Sequence, residues 1–208
     1  MIMDNRKISK AISENFIEWK IEGYDYTREE AIEVFKNAIE ENSGNFYYDS
    51  IENLEKILLE IIDNESEIMF FPIVGEIDEK INKLKNFKIY DLNALAGEKN
   101  LKYLIKNIKI SITGADALAA ESGSIIICDN SSLKSYAAFL PEKHIVISYE
   151  SILFPTILDA LKYLWENFVD VPSTIQIIQG PSKTGDIEKK IVRPSHGPKE
   201  LHVILLKD

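Results

Sequence analysis

The sequence has few thiol and imidazole groups that could ligate a metal: its 208 residues include one cysteine, Cys128, and three histidines. One thiol can neither close an intramolecular disulfide nor hold an iron–sulfur cluster. The GxGxxG, GxSxG, HExxH and Walker A motifs are also absent. We therefore predict that this chain holds no metal and no cofactor, and that any redox centre belongs to a partner.

A long apolar run is missing as well. Nothing approaches the roughly 20 residues that cross a bilayer. The first twenty residues are charged and contain neither an apolar core nor a small-residue cleavage site. We expect a soluble, cytoplasmic protein that has no membrane partner.

Positive charge is scarce at the beginning of the chain. Residues 1–67 hold 17 acidic and 7 basic residues, whereas residues 68–208 hold 17 of each, so the first third carries the whole net charge of −10. Because no basic stripe is available to neutralise phosphates, nucleic acid and anionic lipid are not expected partners. The acidic surface is either solvated or meets a basic partner.

Two amphipathic helices are predicted before the first strand. Apolar residues recur at intervals of three and four in residues 6–21. Thr27, with Glu30 three places on, forms the capping-box pattern of a second helix. We predict a helical segment at residues 1–44 that packs on an α/β domain at residues 45–208.

Short apolar runs alternate with amphipathic segments from residue 45 onward, which is the pattern of an α/β sheet. Runs such as IKISIT and TIQIIQ suit strands that helices cover on both faces. The predicted strands are 46–48, 68–71, 87–90, 108–113, 123–128, 144–149, 174–179 and 201–206. The predicted helices are 50–63, 77–85, 98–106, 116–121, 132–139, 156–168 and 183–190. We expect a mostly parallel sheet flanked by helices.

In open parallel sheets, ligands bind at the carboxyl ends of strands, and three such places stand out. The first follows the strand that ends at residue 113. Asp116 and Glu121 are the candidate catalytic acid and base there, if both approach one crevice. The candidate ligand-binding residues of this place are Thr113, Gly114 and Gly123. In the alternative interpretation, Asp116 caps a short helix and Glu121 is a rim carboxylate.

The second place is the turn between the strand 174–179 and the predicted helix 183–190. Hydroxyls and N–H groups at a helix start, next to a lysine, would bind an anion. The candidate ligand-binding residues are Gly180, Ser182, Lys183 and Thr184. An ordinary capped helix start is the alternative.

The third place is the proline- and glycine-stiffened loop before the last strand. It presents His196 as a candidate proton donor or substrate orienter. A metal site from His196, Glu200 and His202 is an alternative that no HExxH helix supports. His144 and His202 begin apolar strands and Cys128 ends one, so we assign structural roles to these three.

Three segments occur together in this order: ITGADALAAESGSIII (112–127), LPEKHIVI (140–147) and GPSKTGDIEKKIVRPSHGPKELHVILL (180–206). Together they resemble the LUD-domain family, and within it the lactate-utilization protein C, or YkgG, type. The resemblance covers nearly all of the second half of the chain. It implies a fold similar to the group of NagB, ribose-5-phosphate isomerase and CoA transferases, and it brings no agreed catalytic residues.

Proteins of this type accompany two iron–sulfur proteins of a bacterial operon that lets cells oxidise L-lactate to pyruvate. The resemblance therefore implies an accessory C-type subunit of a three-component system, which binds a small anionic ligand or its iron–sulfur partner proteins. Two alternatives stay open. One is a stand-alone sugar-phosphate isomerase or CoA-transferase-like enzyme that uses Asp116 or Glu121, and the other is a sensor of lactate or pyruvate. Whether the chain is itself an enzyme is also open.

Overall fold

The computed structural model describes most of the chain after its first 25 residues. The described residues are 26–62, 67–73, 75–85, 87–99, 101–185, 191–192 and 197–208. The predicted helix at 6–21, the candidate His196 and residues 186–190 lie outside this description. No described helix is both long enough and apolar enough to cross a membrane.

Within these residues the chain forms six helices and twelve strands. The helices are α1 (Arg28–Glu41), α2 (Leu54–Ile61), α3 (Gly75–Asn82), α4 (Leu101–Asn107), α5 (Leu133–Phe139) and α6 (Ile157–Asn167). The strands are β1 (Asn45–Asp49), β2 (Glu67–Phe70), β3 (Lys88–Asp91), β4 (Ile110–Gly114), β5 (Ala117–Ala119), β6 (Ser124–Asp129), β7 (Lys143–Tyr149), β8 (Leu153–Phe154), β9 (Thr174–Ile178), β10 (Thr184–Gly185), β11 (Ile191–Val192) and β12 (Glu200–Leu206). Short 3-10 turns lie at Ile51–Asn53, Ala120–Ser122 and Glu150–Ile152.

Helix α1 begins with the predicted capping box. The Thr27 hydroxyl accepts a hydrogen bond from the Glu30 N–H at 3.2 Å, and the Glu30 carboxylate accepts one from the Thr27 N–H at 2.7 Å. The apolar face of α1, which includes Phe35 and Ile39, is buried. The division of the chain into residues 1–44 and an α/β domain stays a prediction.

Six strands form a parallel sheet in the order β1-β12-β7-β4-β2-β3. The central strand β4 is buried throughout, as the run IKISIT predicts. Helices α2 and α3 cover one face of the sheet, and α1, α4, α5 and a second sheet cover the other. The predicted fold class, a mostly parallel sheet flanked by helices, is confirmed.

The second sheet has four strands in the order β8-β5-β6-β9, and the sequence did not predict it. β6 pairs antiparallel with both β5 and β9, whereas β8 pairs parallel with β5. Its two faces join different cores. Ile125 and Ile127 pack in the core that includes Val203 of β12, and Ile126 packs with Ala160 and Leu164 of α6.

Three local predictions are wrong. Residues 116–121, predicted as a helical turn, form β5 and the start of a 3-10 turn, because the backbone of β5 pairs with β6. The run TIQIIQ is the edge strand β9 and is not covered on both faces, since Ile175 and Ile177 are 40% and 44% exposed. Residues 184–185, predicted to begin the helix 183–190, form β10, which pairs with β11.

Candidate functional site

The candidate site lies at the carboxyl ends of β2 and β4. The chain passes from β2 to its outer neighbour β3, and then crosses back to β4, β7 and β12. The direction of winding reverses between β2 and β4, and ligands of open parallel sheets bind at such a point. A Cβ atom on Gly114 would lie 2.7 Å from Cγ2 of Ile73, so glycine at the end of β4 lets the loop after β2 approach closely.

Asp116 and Lys134 form an ion pair beside this edge. The Oδ2 atom of Asp116 accepts hydrogen bonds from Lys134 Nζ at 2.5 Å and from the N–H of Cys128 at 2.6 Å. The N–H of Asp116 donates to the carbonyl of Ile126 at 2.8 Å, which ties the aspartate to the second sheet. The Lys134 side chain is 9% exposed and that of Asp116 is 32% exposed. Solvent therefore reaches the pair mainly from the carboxylate.

A second polar pair, Thr113 and His144, lies on the neighbouring strands β4 and β7. Thr113 Oγ1 and His144 Nε2 are 2.9 Å apart, and both residues are buried. Burial, together with the charge of Lys134, lowers the pKa of His144 to about 3. The imidazole is therefore neutral at neutral pH. Its Nδ1 atom is buried without a hydrogen-bond partner among the described residues.

Asp129 organises the start of α5, the helix that carries Lys134. Its carboxylate accepts hydrogen bonds from the N–H groups of Ser131, Ser132 and Ser135 at 2.8, 3.1 and 2.8 Å. Burial favours the neutral acid, but the hydrogen bonds from Ser135 and Ser131 outweigh it and lower the pKa of Asp129. An ionised Asp129 therefore fixes the helix from which Lys134 reaches the site.

Cys128 borders the ion pair through its backbone. Its side chain packs, partly buried, in the cluster between the second sheet and α6. Burial first, and then the charge of Asp116, raise the pKa of the thiol to about 12. Because the thiolate is the reactive form, this thiol is a poor nucleophile and packs as the sequence predicted.

Glu121 and Gly123 are held in different surroundings from Asp116. Glu121 lies beyond the far end of β5, where its Oε1 atom accepts a hydrogen bond from the N–H of Ile157 at 3.0 Å, at the start of α6. Gly123 has a φ of +60°, and a Cβ atom there would lie 2.9 Å from the backbone nitrogen of Ile39 in α1. Glu121 thus contacts α6 and Gly123 contacts α1, whereas Asp116 contacts α5.

The second predicted place lies beside the end of α1. A Cβ atom on Gly180 would lie 2.7 Å from the carbonyl oxygen of Asn42, and exposed Lys183 lines an open hollow of about 230 Å³ next to it. Ser182 donates its N–H to the loop before β12 at 2.8 Å. Since Thr184 is in β10, the helix start on which the anion site depended is not formed there. Ligand binding by these four residues stays a prediction.

The histidine loop yields no described metal site. His202 stacks on Tyr47, with 6.0 Å between ring centroids, and its Nε2 atom is 3.4 Å from Glu200. In the described part of the chain, no group of three or more histidine, cysteine, aspartate or glutamate side chains could hold a metal. The stacking contact gives His202 the structural role that the sequence predicted, and the role of His196 stays a prediction.

Lys134 is not among the site residues that were predicted from the sequence. A signal was present, because Lys134, Ala137 and Ala138 are spaced three and four apart and therefore share the buried face of α5. A lysine on a buried helix face requires a partner, since burying an unpaired charge is costly. The partner itself could not be foreseen, because the contact depends on how α5 packs against the start of the second sheet.

These features define a class of protein: an α/β fold whose parallel sheet reverses its winding beside a carboxylate–ammonium pair. The LUD domain model matches residues 13–206, and the chain belongs to this family. The resemblance drawn from the three sequence segments is therefore confirmed.

Curated relatives carry the name Lactate utilization protein C. The protein from Geobacillus sp. (strain WCH70) is 32% identical over 127 residues, which are 60% of this chain and 52% of the relative. The Bacillus subtilis (strain 168) protein is 31% identical over 123 residues, 58% of this chain and 51% of the relative. The chain thus spans about half the length of these two relatives. The Anoxybacillus flavithermus protein is 26% identical over 189 residues, 88% and 83% of the two chains.

A solved structure shares the fold. The crystal structure of a DUF162 family protein from Deinococcus radiodurans superposes with a TM-score of 0.65 over 87% of this chain and 99% of that chain. The two sequences are 14% identical. At this identity the likeness establishes the architecture alone.

Proposed function

We propose that this chain is an accessory component of a three-component, iron–sulfur-dependent system that oxidises L-lactate to pyruvate. The observation that carries the proposal is the LUD domain match over residues 13–206, together with relatives named Lactate utilization protein C. The single cysteine supports this division of labour, because the partners must supply the clusters. The chain then binds those partners, a small anionic ligand, or both.

The Asp116–Lys134 pair is the place we assign to the small anion. An ammonium group has three N–H donors, and the Asp116 carboxylate accepts one of them at 2.5 Å. A ligand carboxylate can accept another where the remaining 9% of the Lys134 side chain is exposed, away from the Asp116 carboxylate. The ring of Phe71, with its centroid 6.0 Å from Lys134 Nζ, provides an apolar wall for the hydrocarbon part of such a ligand.

Reconstituted lactate oxidation tests the proposal. Iron–sulfur partners co-purified from lactate-grown cells are assayed for lactate-dependent dye reduction, with and without this chain. We expect activity to require the chain. Equal activity in its absence would exclude the accessory role.

Two lysine variants separate the anion site from the rest of the assembly. Lys134→Met removes the charged hydrogen bond to the ligand carboxylate, which is worth roughly 1.5–3 kcal/mol. The rate of dye reduction should therefore fall about tenfold or more. Lys183→Met tests the other predicted anion place, where exposed Lys183 lines a different hollow, and it should leave the rate unchanged if the ligand binds at Lys134. The reverse pattern would move the ligand to that hollow.

A stand-alone enzyme of the isomerase or CoA-transferase type is the second candidate. The observation that favours it is the position of Asp116, a partly exposed carboxylate at the reversal point of the sheet. A thermal-shift panel of CoA esters and sugar phosphates tests it. A ligand at 100 times its Kd stabilises the folded state by about 2.7 kcal/mol, so an absent shift across the panel would count against this candidate. With a bound ligand, Asp116→Asn should abolish turnover in a folded protein.

A further inference from the structure

The surface around α6 and β9 concentrates exposed apolar side chains. Of the twelve large apolar residues that are exposed in the described structure, six lie between residues 158 and 177. These six are Leu158, Trp165, Val169, Val171, Ile175 and Ile177. Leu158 is 75% exposed and Trp165 is 67% exposed, well beyond what a partly covered side chain shows. We refer to these six residues as the α6–β9 surface.

Helical geometry places the α6 part of this surface next to the β9 part. The rings of Tyr163 on α6 and Phe154 on β8 are 4.7 Å apart, so this side of the helix faces β8. At about 100° per residue, Leu158 and Trp165 lie on the opposite side of α6 from Tyr163. Since α6 packs over β5, and β8 and β6 flank β5, this opposite side faces β6 and β9.

The register of β9 turns its isoleucines toward the same groove. Ile177 pairs with Ile126, and Ile175 pairs with Cys128. Residues that pair across antiparallel strands point to the same face, and Ile126 and Cys128 point to the face that α6 covers. Ile175 and Ile177 stay exposed because α6 does not extend over β9. Together α6 and β9 form an apolar groove, in which α6 provides one wall and β9 provides the floor.

The chain itself contains an element with a matching surface. The sequence of residues 6–21 predicts an amphipathic helix whose apolar side chains recur at intervals of three and four: Ile8, Ala11, Ile12, Phe16 and Trp19. Such a helix would be about 24 Å long, against about 16 Å for α6. In water a short amphipathic helix gains its stability from the burial of its apolar face.

The point where the described chain begins puts this element within reach. Tyr26, just before α1, packs in the core that contains Leu153 of β8, and β8 lies beside α6. Residues 22–25 span up to about 13 Å when extended. The groove lies two strands from β8 within the second sheet, which is roughly 10 Å, and one layer above that sheet, which is roughly another 10 Å. Residues 22–25 and the first turns of the helix together cover this distance.

We propose that the apolar face of residues 6–21 docks in the groove of the α6–β9 surface and covers Trp165. The docked segment would then cover the part of the second sheet that α6 leaves exposed. A second copy of the chain and a separate partner are the competing occupants. The three occupants differ in how the shielding of Trp165 from solvent depends on protein concentration and on a substitution at residue 12.

Tryptophan quenching in the full chain tests the docking, because the sequence has two tryptophans, one on each side of the proposed contact. In Trp19→Phe, Trp165 is the sole reporter. We expect acrylamide to quench it weakly at every protein concentration. Ile12→Asp should raise the quenching constant severalfold by releasing the segment.

Ser13→Asp is the matched control, since residue 13 lies outside the apolar face of the predicted helix, about 120° around the helix axis from its centre, and receives the same charge. It should leave quenching as it was. Strong quenching of Trp165 in the full chain would overturn the proposal, and so would shielding that disappears on dilution or shielding that survives Ile12→Asp. In Trp165→Phe the only tryptophan is Trp19, so its quenching with and without Leu158→Asp reports the same contact from the side of the docked segment. Far-UV circular dichroism verifies that each variant is folded.

Discussion

At Asp116, one carboxylate oxygen receives both a lysine ammonium and a backbone N–H. The consequence is a nearly buried cation whose partner still reaches solvent. Sequence spacing drew attention to Asp116, because it follows a strand. It could not identify Lys134 as the partner, because the two residues lie 18 positions apart and meet through packing of α5.

The ion pair should carry stability as well as function. Asp116→Asn leaves the Lys134 ammonium without its counter-charge, so we expect the free energy of unfolding to fall by about 2–3 kcal/mol. In Asp116→Asn/Lys134→Met the loss should be smaller than the sum of the two single losses. Urea denaturation of the four proteins gives this coupling. The exposed pair of Lys199 and Glu142 is the control, because Glu142→Gln should cost less than about 1 kcal/mol.

His144 should give the folded protein a pH dependence of known sign. Its pKa is about 3 when folded, below the ordinary value near 6.5, so between these pH values the unfolded chain binds the extra proton. The stabilising effect is complete above pH 6.5 and is lost as pH falls toward 3, at up to about 1.4 kcal/mol per pH unit. His144→Gln should flatten the slope of unfolding free energy between pH 6.5 and 5. An unchanged slope would assign the proton uptake to other groups.

Among the secondary-structure elements, two wrong predictions have the same cause: local composition does not reveal which strands pair. Residues 117–120 read ALAA, which has strong helix propensity, yet β5 forms because its backbone pairs with β6 and with β8. The run TIQIIQ has the composition of a buried strand but lies at the sheet edge. Local composition favours a type of element, whereas pairing partners decide between competing types.

Gly123 is the point at which α1 meets the second sheet, and alanine there should be costly. The residue has a φ of +60°, and a Cβ atom would lie 2.9 Å from the Ile39 nitrogen. We expect Gly123→Ala to lower the free energy of unfolding by about 2–3 kcal/mol, through strain and overpacking. Gly97→Ala is the matched control: its φ is +87° but nothing lies within 4 Å of its Cβ position. Strain alone should then cost about 1 kcal/mol, and equal losses in a thermal melt would refute a role for the contact.

At the scale of the whole molecule, two sheets share one core. α1 and the second sheet cover one face of the parallel sheet, and α6 covers the outer face of the second sheet. The sequence predicted the parallel sheet and its flanking helices, because alternating strand and helix patterns are local. It did not predict the second sheet, whose strands pair across separations of up to about fifty residues.

We expect the chain to associate with iron–sulfur proteins in cells that grow on lactate. A tagged chain recovered from cells growing on lactate should retain iron–sulfur proteins, which absorb visible light and are identified by mass spectrometry. The same chain from cells grown without lactate is the control for induced expression. Recovery of the chain alone under both conditions would remove the main support for the accessory role.

The family, the parallel α/β sheet and the capped helix α1 could be predicted from the amino-acid sequence, because segment identity, period and capping residues are properties of neighbouring positions. The single cysteine also led to the expectation that any iron–sulfur cluster belongs to a partner. The three-dimensional structure was needed to show that Asp116 pairs with Lys134, that Glu121 contacts α6, and that His144 is held neutral beside Thr113. These contacts join residues that are far apart in the chain, and long-range packing sets both their distances and their desolvation.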